Sequence, residues 1–322
     1  MYFLLNPTAN LCDNFFIKSF FKIADIPIYR FTISHGRVFS NEKTTLFFIS
    51  TFYNDFIKKG KKKLMKIASI QLEIRDTESA YERTRRADSL LDSLHGYDFV
   101  LLPEIWMTGY NTFDRYTEEA EEINGFFVSH FAQKARELNA YLFAGSFVEQ
   151  SGGNYYNTSV LFDRQGQLIA SYRKIHLFTY GSKEGELLTR GTEPITVDTE
   201  FGKVGLSTCY DLRFPELYRK ELDLGAKLFL VTSAWPLARL AHWELFNAAR
   251  AVENQCFLVS CNCVGSNQGV ILGGHSRIVD PWGKVIATGD ENEAIITAEI
   301  DLATVDQIRE EFPQLKHRVP IN

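Results

Sequence analysis

The chain has 322 residues, 45% of them hydrophobic, enough to bury a large core, and a formal net charge of −5. That balance argues against a nucleic-acid partner, since no basic surplus exists to neutralise phosphates. Five cysteines without C-x-x-C spacing build neither a disulfide framework nor a zinc site, so a reducing cytoplasm suits them and no metal is expected.

Residues 1–64 stand apart from the rest of the chain. They are crowded with Phe, yet show no sustained periodicity and no signal-peptide pattern. Their apolar runs, such as 45–53, fall well short of the ~20 residues a membrane helix needs. They close on Lys58-Lys59-Gly60-Lys61-Lys62-Lys63, and Met65 then opens a clean strand. A purine-rich ribosome-binding site, if translated, reads as such a run. The expectation is therefore that Met65 is the natural start and 1–64 a disordered translated leader. The alternative is a basic, aromatic arm on a membrane surface.

From Met65 onward strand and helix alternate. The pattern predicts a strand over 66–72, a charged amphipathic helix over 77–94 and a strand over 99–102. A helix over 118–138 and a strand over 141–148 come next. Strands 155–162 and 167–173 flank a hairpin turn at Asp163-Arg164-Gln165-Gly166. The second half repeats the scheme, with strands near 195–208, 227–233, 256–264, 270–279 and 294–300 and helices near 214–224 and 238–253. The polar tail 307–322 reads as a surface segment or one that embraces a second copy. The whole of 65–322 is one α/β domain without an interior linker.

Three apolar runs end on reactive groups. Lys203-Val204-Gly205-Leu206-Ser207-Thr208 stops at Cys209, and a polar turn and a helix come at once. A strand-to-helix corner displays a thiol while holding it rigidly on both sides. Asp98-Phe99-Val100-Leu101-Leu102-Pro103 stops at Glu104, and the run from Leu168 stops at Lys174 among apolar neighbours. A strand buried on both faces reads as a continuous apolar run whose last residue emerges at the sheet edge. Taken singly, these would be a small core cysteine and two solvated strand ends.

In the order Glu104, Lys174, Cys209 they resemble the signature of the nitrilase or carbon-nitrogen hydrolase superfamily. The resemblance runs from Met65 to about Pro313. The run 235–243, with 249–254, is similar to the omega-amidase-like branch. The resemblance implies a four-layer α-β-β-α sandwich, a single catalytic domain that usually pairs with a second copy, and no cofactor. It also implies chemistry, in which Glu104 takes the proton from Cys209 as sulfur attacks an amide carbon. Lys174 and the backbone N–H of Tyr210 stabilise the oxyanion, ammonia leaves, and Glu104 activates water against the thioester. The resemblance also implies a second glutamate, carried by the family seven residues before a glycine; counting back from Gly191 gives Glu184, with Glu186 as the alternative.

The expected substrate is a small omega-amide of a dicarboxylic acid, such as 2-oxoglutaramate or 2-oxosuccinamate. Arg239 would supply a cation for its carboxylate and Trp235, Tyr110 and Tyr210 an apolar wall. Arg213 is the other candidate anchor, unless it braces the nucleophile turn through Glu216 or Asp211. Nitrile hydrolysis, acyl transfer to an amine and non-catalytic ligand binding are the competing functions. His176, His242 and His275 are the candidates for a Cys-His rival mechanism, with a structural role favoured. Cys261 and Cys263 share one side of a strand and read as core.

Overall fold

The computed structural model describes residues 64–319 and, before them, only the backbone of β1 (Thr32–Ser34) and β2 (Arg37–Phe39), which pair antiparallel. The chain divides into two units, Met1–Lys62 and Lys63–Asn322. The remainder of 1–63, where a translated leader or a membrane arm was expected, lies outside the described residues.

The second unit begins with β3 (Met65–Gln71), β4 (Glu73–Ile74), α1 (Ala80–Asp92), β5 (Phe99–Leu101), α2 (Phe126–Leu138), β6 (Tyr141–Ser151), β7 (Asn154–Phe162) and β8 (Leu168–Arg173). Then come α3 (Glu184–Leu187), β9 (Ile195–Thr199), β10 (Gly202–Thr208), α4 (Pro215–Asp223), β11 (Leu228–Ser233), α5 (Leu240–Asn254) and β12 (Phe257–Asn262). The chain closes with β13 (Val264–Asn267), β14 (Val270–Gly273), β15 (Arg277–Val279), β16 (Val285–Thr288), β17 (Ala294–Ile300) and α6 (Ala303–Glu311).

Two six-stranded sheets result, in the orders β17-β3-β5-β6-β7-β8 and β16-β15-β12-β11-β10-β9. Each has a parallel centre, β3-β5-β6 in one and β10-β11-β12 in the other, with antiparallel margins. Alternation decides the layering. Ile67, Leu101 and Phe143 belong to a core with Leu206, Leu230 and Val259 of the other sheet, which share one face by register, whereas Ala68, Val100 and Leu142 pack with Leu91, Phe131 and Ala135 of α1 and α2. Tyr218, Trp243 and Ala251 of α4 and α5 cover the far face of the second sheet. The architecture is the expected α-β-β-α sandwich.

Polar threads stitch the two sheets where the apolar layer alone would allow sliding. The Thr232 hydroxyl donates to Leu102 O at 3.1 Å, the Ser69 hydroxyl to Ser260 O at 3.0 Å, and Glu104 N–H to Ser233 O at 3.3 Å.

Several predicted elements are shorter than the pattern implied. The helix expected over 118–138 begins only at Phe126, because Glu121 is spent outside it. Its backbone bridges Glu149, and its carboxylate accepts Phe127 N–H at 2.8 Å, which caps α2 from upstream. The strand over 195–208 is a hairpin folded at Glu200 and Phe201, closed by the Thr199 hydroxyl on Gly202 O at 2.6 Å. The strand over 270–279 splits, since β14 pairs with β13 in a third sheet while β15 pairs with β12. The tail packs on this same chain. Val305 and Ile308 of α6 are buried, and Arg309 donates to Ala226 O and Asn254 O at 3.3 Å. Among the described residues no helix is long and apolar enough to cross a membrane.

Candidate active site

Glu104 leaves the end of β5 on a cramped turn. Ile105 takes a positive φ of 38°, and Gly145 of β6 passes so near that a Cβ there would lie 1.9 Å from Pro103 O. Only glycine allows that approach, and Gly145 itself has φ 75°. The Ser146 hydroxyl accepts Ile105 N–H at 3.0 Å and fixes the exit. The Glu104 carboxylate then points into the seam between the sheets, where Oε1 accepts from Lys174 Nζ at 2.9 Å and Asn157 Nδ2 at 2.8 Å. Its Oε2 accepts Ala234 N–H at 2.9 Å.

Lys174 follows β8, and its backbone N–H donates to Asn157 O at 2.9 Å. Its ammonium sits between two carboxylates, 2.9 Å from Glu104 Oε1 and 2.9 Å from both oxygens of Glu184. Glu184 opens the single turn α3 and is fully buried, whereas Glu186 is exposed. Besides Lys174 it accepts from Asn157 Nδ2 at 3.0 Å, Tyr110 OH at 3.1 Å and Phe178 N–H at 2.6 Å.

Cys209 starts a 3-10 turn at φ 49°, a strained conformation for a residue with a side chain. Its thiol lies near enough to the Glu104 carboxylate for each to influence the other's ionisation. It is 8% exposed, so the thiol that the corner was expected to display is reached only through a pocket.

The electrostatics follow from burial. Loss of solvent raises the Glu104 carboxyl, and the neighbouring Lys174 offsets this only in part. Burial works against the Lys174 charge too, but Glu104 and Glu184 outweigh it and hold the ammonium well above the ordinary lysine range. Burial, then the negative Glu104, push the Cys209 thiol up against the pull of Lys174. Burial thus disfavours the charged forms of the Cys209 thiol and the Glu104 carboxyl, while the two carboxylates favour the charged form of Lys174.

The pocket above Cys209 is lined by Tyr110, Asn111, Phe178, Tyr180, Tyr210, Arg213, Trp235 and Arg239. Tyr110 spends its hydroxyl on Glu184 and Ser182 and sets its ring 5.4 Å from Lys174 Nζ. Trp235 is held by its indole N–H on Arg239 O at 2.8 Å. Arg213 braces neither Glu216 nor Asp211. Its guanidinium lies 4.7 Å from the Trp235 ring centre and 3.3 Å from His242 Nδ1.

None of the three histidines sits on the thiol. His176 Nδ1 lies 2.7 Å from Asp211 Oδ1, His242 contacts Arg213, and His275 Nδ1 lies 2.9 Å from its neighbour Gly273 O. Cys261 and Cys263 are buried core residues, and no cluster among the described residues could hold a metal ion.

The carbon-nitrogen hydrolase family model matches residues 66–310. The chain belongs to that family. It is 38% identical over 260 residues to a 2-oxoglutaramate amidase of Paenarthrobacter nicotinovorans, covering 78% of this chain and 88% of the relative. It is 35% identical over 263 residues to the omega-amidase NIT2 of Mus musculus, covering 79% and 94%. Among solved structures, yeast Nit3, a member of branch 10 of the nitrilase superfamily, superposes with a TM-score of 0.70 at 30% identity, over 78% of this chain and 94% of that one. The protein is thus a carbon-nitrogen hydrolase, an enzyme of amide hydrolysis, in its omega-amidase-like branch.

Sequence reasoning about this hydrolase missed Asn157 and the roles of Asp211 and Tyr172. Asn157 bridges the two glutamates, and its one sequence signal is a poor strand former inside a strand. Tyr172 OH donates to Asp211 Oδ2 at 2.7 Å.

Proposed function

We propose that this hydrolase releases ammonia from the terminal amide of a short carboxylate-bearing substrate, 2-oxoglutaramate or 2-oxosuccinamate, through a thioester on Cys209. The observation that carries this reading is a pair of guanidiniums, Arg213 and Arg239, that line the pocket over Cys209 without a carboxylate partner among the described residues. Burial first, and the charge of Arg239 besides, lower the Arg213 guanidinium. Rings flank both, with Arg239 at 5.5 Å from Phe178 and 5.9 Å from Tyr180. A carboxylate entering between two such cations gains charge-assisted hydrogen bonds that a neutral amide does not.

The chemistry then runs on proton bookkeeping. Sulfur bonds to the amide carbon as Glu104 takes the thiol proton, and the carbonyl π electrons move onto oxygen. All three Lys174 donors face carboxylate oxygens at rest. Protonation of Glu104 weakens one of those acceptors, so the event that creates the oxyanion frees an ammonium N–H for it, beside the Tyr210 N–H. The C–N bond breaks, the nitrogen takes the proton from Glu104, and ammonia departs. Glu104 next removes a proton from water, hydroxide attacks the thioester, and the departing sulfur recovers that proton.

The test is ammonia release from 2-oxoglutaramate, uncharged amides of equal length and nitriles. We expect kcat/KM for the carboxylate-bearing amide to exceed the uncharged one by about 100-fold. Arg239→Ala and Arg213→Ala should each lose about 10- to 150-fold on it alone, the worth of a charged hydrogen bond. Equal turnover of the uncharged amide, or preference for the nitrile, would overturn the reading.

The same proposal includes a second copy of the chain. On one face of α5, Leu245 is 63% exposed and Val252 38% exposed, beside the half-exposed pair Trp282 and Phe312. An apolar stripe of this kind favours self-association, so sedimentation should show a dimer that Leu245→Asp converts to monomer. A Leu245→Asp protein that sediments like the native one would reject this surface. The four described cysteines are all free and buried, which suits a reducing cytoplasm.

A further inference from the structure

Asp211 lies two residues after Cys209, is fully buried, and has all its acceptor positions filled. Its Oδ2 accepts Thr208 N–H at 3.0 Å and Tyr172 OH at 2.7 Å. Its Oδ1 accepts His176 N–H at 2.9 Å and stands 2.7 Å from His176 Nδ1. Tyr172 and His176 are the residues two before and two after Lys174. One carboxylate therefore grips both flanks of the lysine and the residue just ahead of the nucleophile.

The turn is tied a second time from the other direction. The Thr208 side chain accepts from the backbone N–H of Asp211, and its hydroxyl meets the Ser159 hydroxyl of β7 at 2.8 Å. The His176 ring stacks on Phe214 with centroids 3.9 Å apart.

Such ties have a task that backbone pairing does not perform. Lys174 follows β8 at the edge of one sheet, and Cys209 follows β10 inside the other, so no strand ladder fixes one against the other. Cys209 also needs a restraint, because its φ of 49° is a conformation that a side-chain-bearing residue leaves readily. We propose that Asp211, with Tyr172 and His176, is a positioning unit that sets the distance between the Lys174 ammonium and the Cys209 thiol during amide hydrolysis. None of the three lines the pocket, so they act through the residues they hold. This inference rests on the roles assigned to Cys209 and Lys174 in the proposed reaction.

The experiment uses the full chain carrying Tyr172→Phe, His176→Phe, His176→Asn, Asp211→Asn or Cys209→Ala. His176→Phe keeps a ring on Phe214 and removes the side-chain donor, whereas His176→Asn restores a donor near Nδ1. Because a misplacement of about 1 Å costs about 100-fold, Tyr172→Phe and His176→Phe should lower kcat by about 10- to 100-fold with KM within about 3-fold. His176→Asn should recover most of that loss, and Asp211→Asn should lose about 100-fold or more. The pH profile of Cys209 alkylation should move in the same variants, which a purely structural role would not cause once rates are normalised to folded protein.

If Asp211→Asn fails to fold, the two single hydrogen-bond deletions decide. An inactive Cys209→Ala with kcat unchanged in Tyr172→Phe and His176→Phe overturns the positioning unit alone. A change confined to KM overturns it in favour of a binding role. An active Cys209→Ala overturns the assigned nucleophile, and the positioning unit falls with it.

Discussion

Cys209→Ala should reduce ammonia release by on the order of 10⁵-fold or more while leaving the fold intact. The size of the loss reflects the groups that remain. Glu104 and Lys174 would still be present, but neither can form the proposed thioester, which would divide one difficult displacement into two easier ones. The fold should tolerate the change because only one sulfur atom is deleted, at a position 8% exposed to the pocket, with a stability change of about 1 kcal/mol or less. Ammonia release and thermal unfolding on the same preparation check both halves. Activity within about 100-fold of native, well short of the expected loss, would mean that another group attacks the amide.

Lys174→Met should have the largest effect on stability. Methionine nearly fills the space, but Glu104 and Glu184 then face each other fully buried, with Asn157 between them and no cation. Breaking a buried pair in this way costs about 3–5 kcal/mol. The sign of the pH dependence identifies the cause. Burial already raises the Glu104 carboxyl above its ordinary 4.5, and losing Lys174 removes the strongest opposing influence. A carboxyl raised on folding contributes stability that is complete below 4.5 and is lost as pH rises through its folded value. Lys174→Met should therefore be more stable at pH 5 than at pH 8, with its deficit against native narrowing toward acid. Native Lys174, held well above 10.5 by its two carboxylates, keeps its contribution across that range. Denaturant unfolding at the two pH values makes the comparison. An equal deficit at both would assign the loss to packing.

Glu104, Lys174 and Cys209 each close an apolar run, which placed them at strand ends, but it was their order, resembling the carbon-nitrogen hydrolase signature, that singled them out together. Glu184 needed a count back from Gly191. The layering was legible locally, since alternation sorts Ile67 from Ala68 and Leu101 from Val100 onto opposite faces. The features that escaped depend on a partner distant in the chain. The stretch 270–279 reads as one strand, yet its two halves join different sheets because their partners are β13 and β12. Asn157 escaped likewise. Its value lies in reaching two carboxylates 53 residues before it and 27 after it. Asp211 sat in plain view within the cysteine motif, but its partners Tyr172 and His176 belong to the other sheet's edge, and no local periodicity links them.

The seam between the sheets also bears on how this enzyme comes into being. Glu104 is presented by one sheet and Cys209 by the other, and the Glu104 carboxylate is completed only by Ala234 N–H from the end of β11. A chain that has zipped both sheets but not yet pressed them together has its full complement of secondary structure and no site. The reactive centre therefore exists only where the two sheets are packed together. The proposed chemistry thus depends on the packing of the two sheets as much as on the residues each presents.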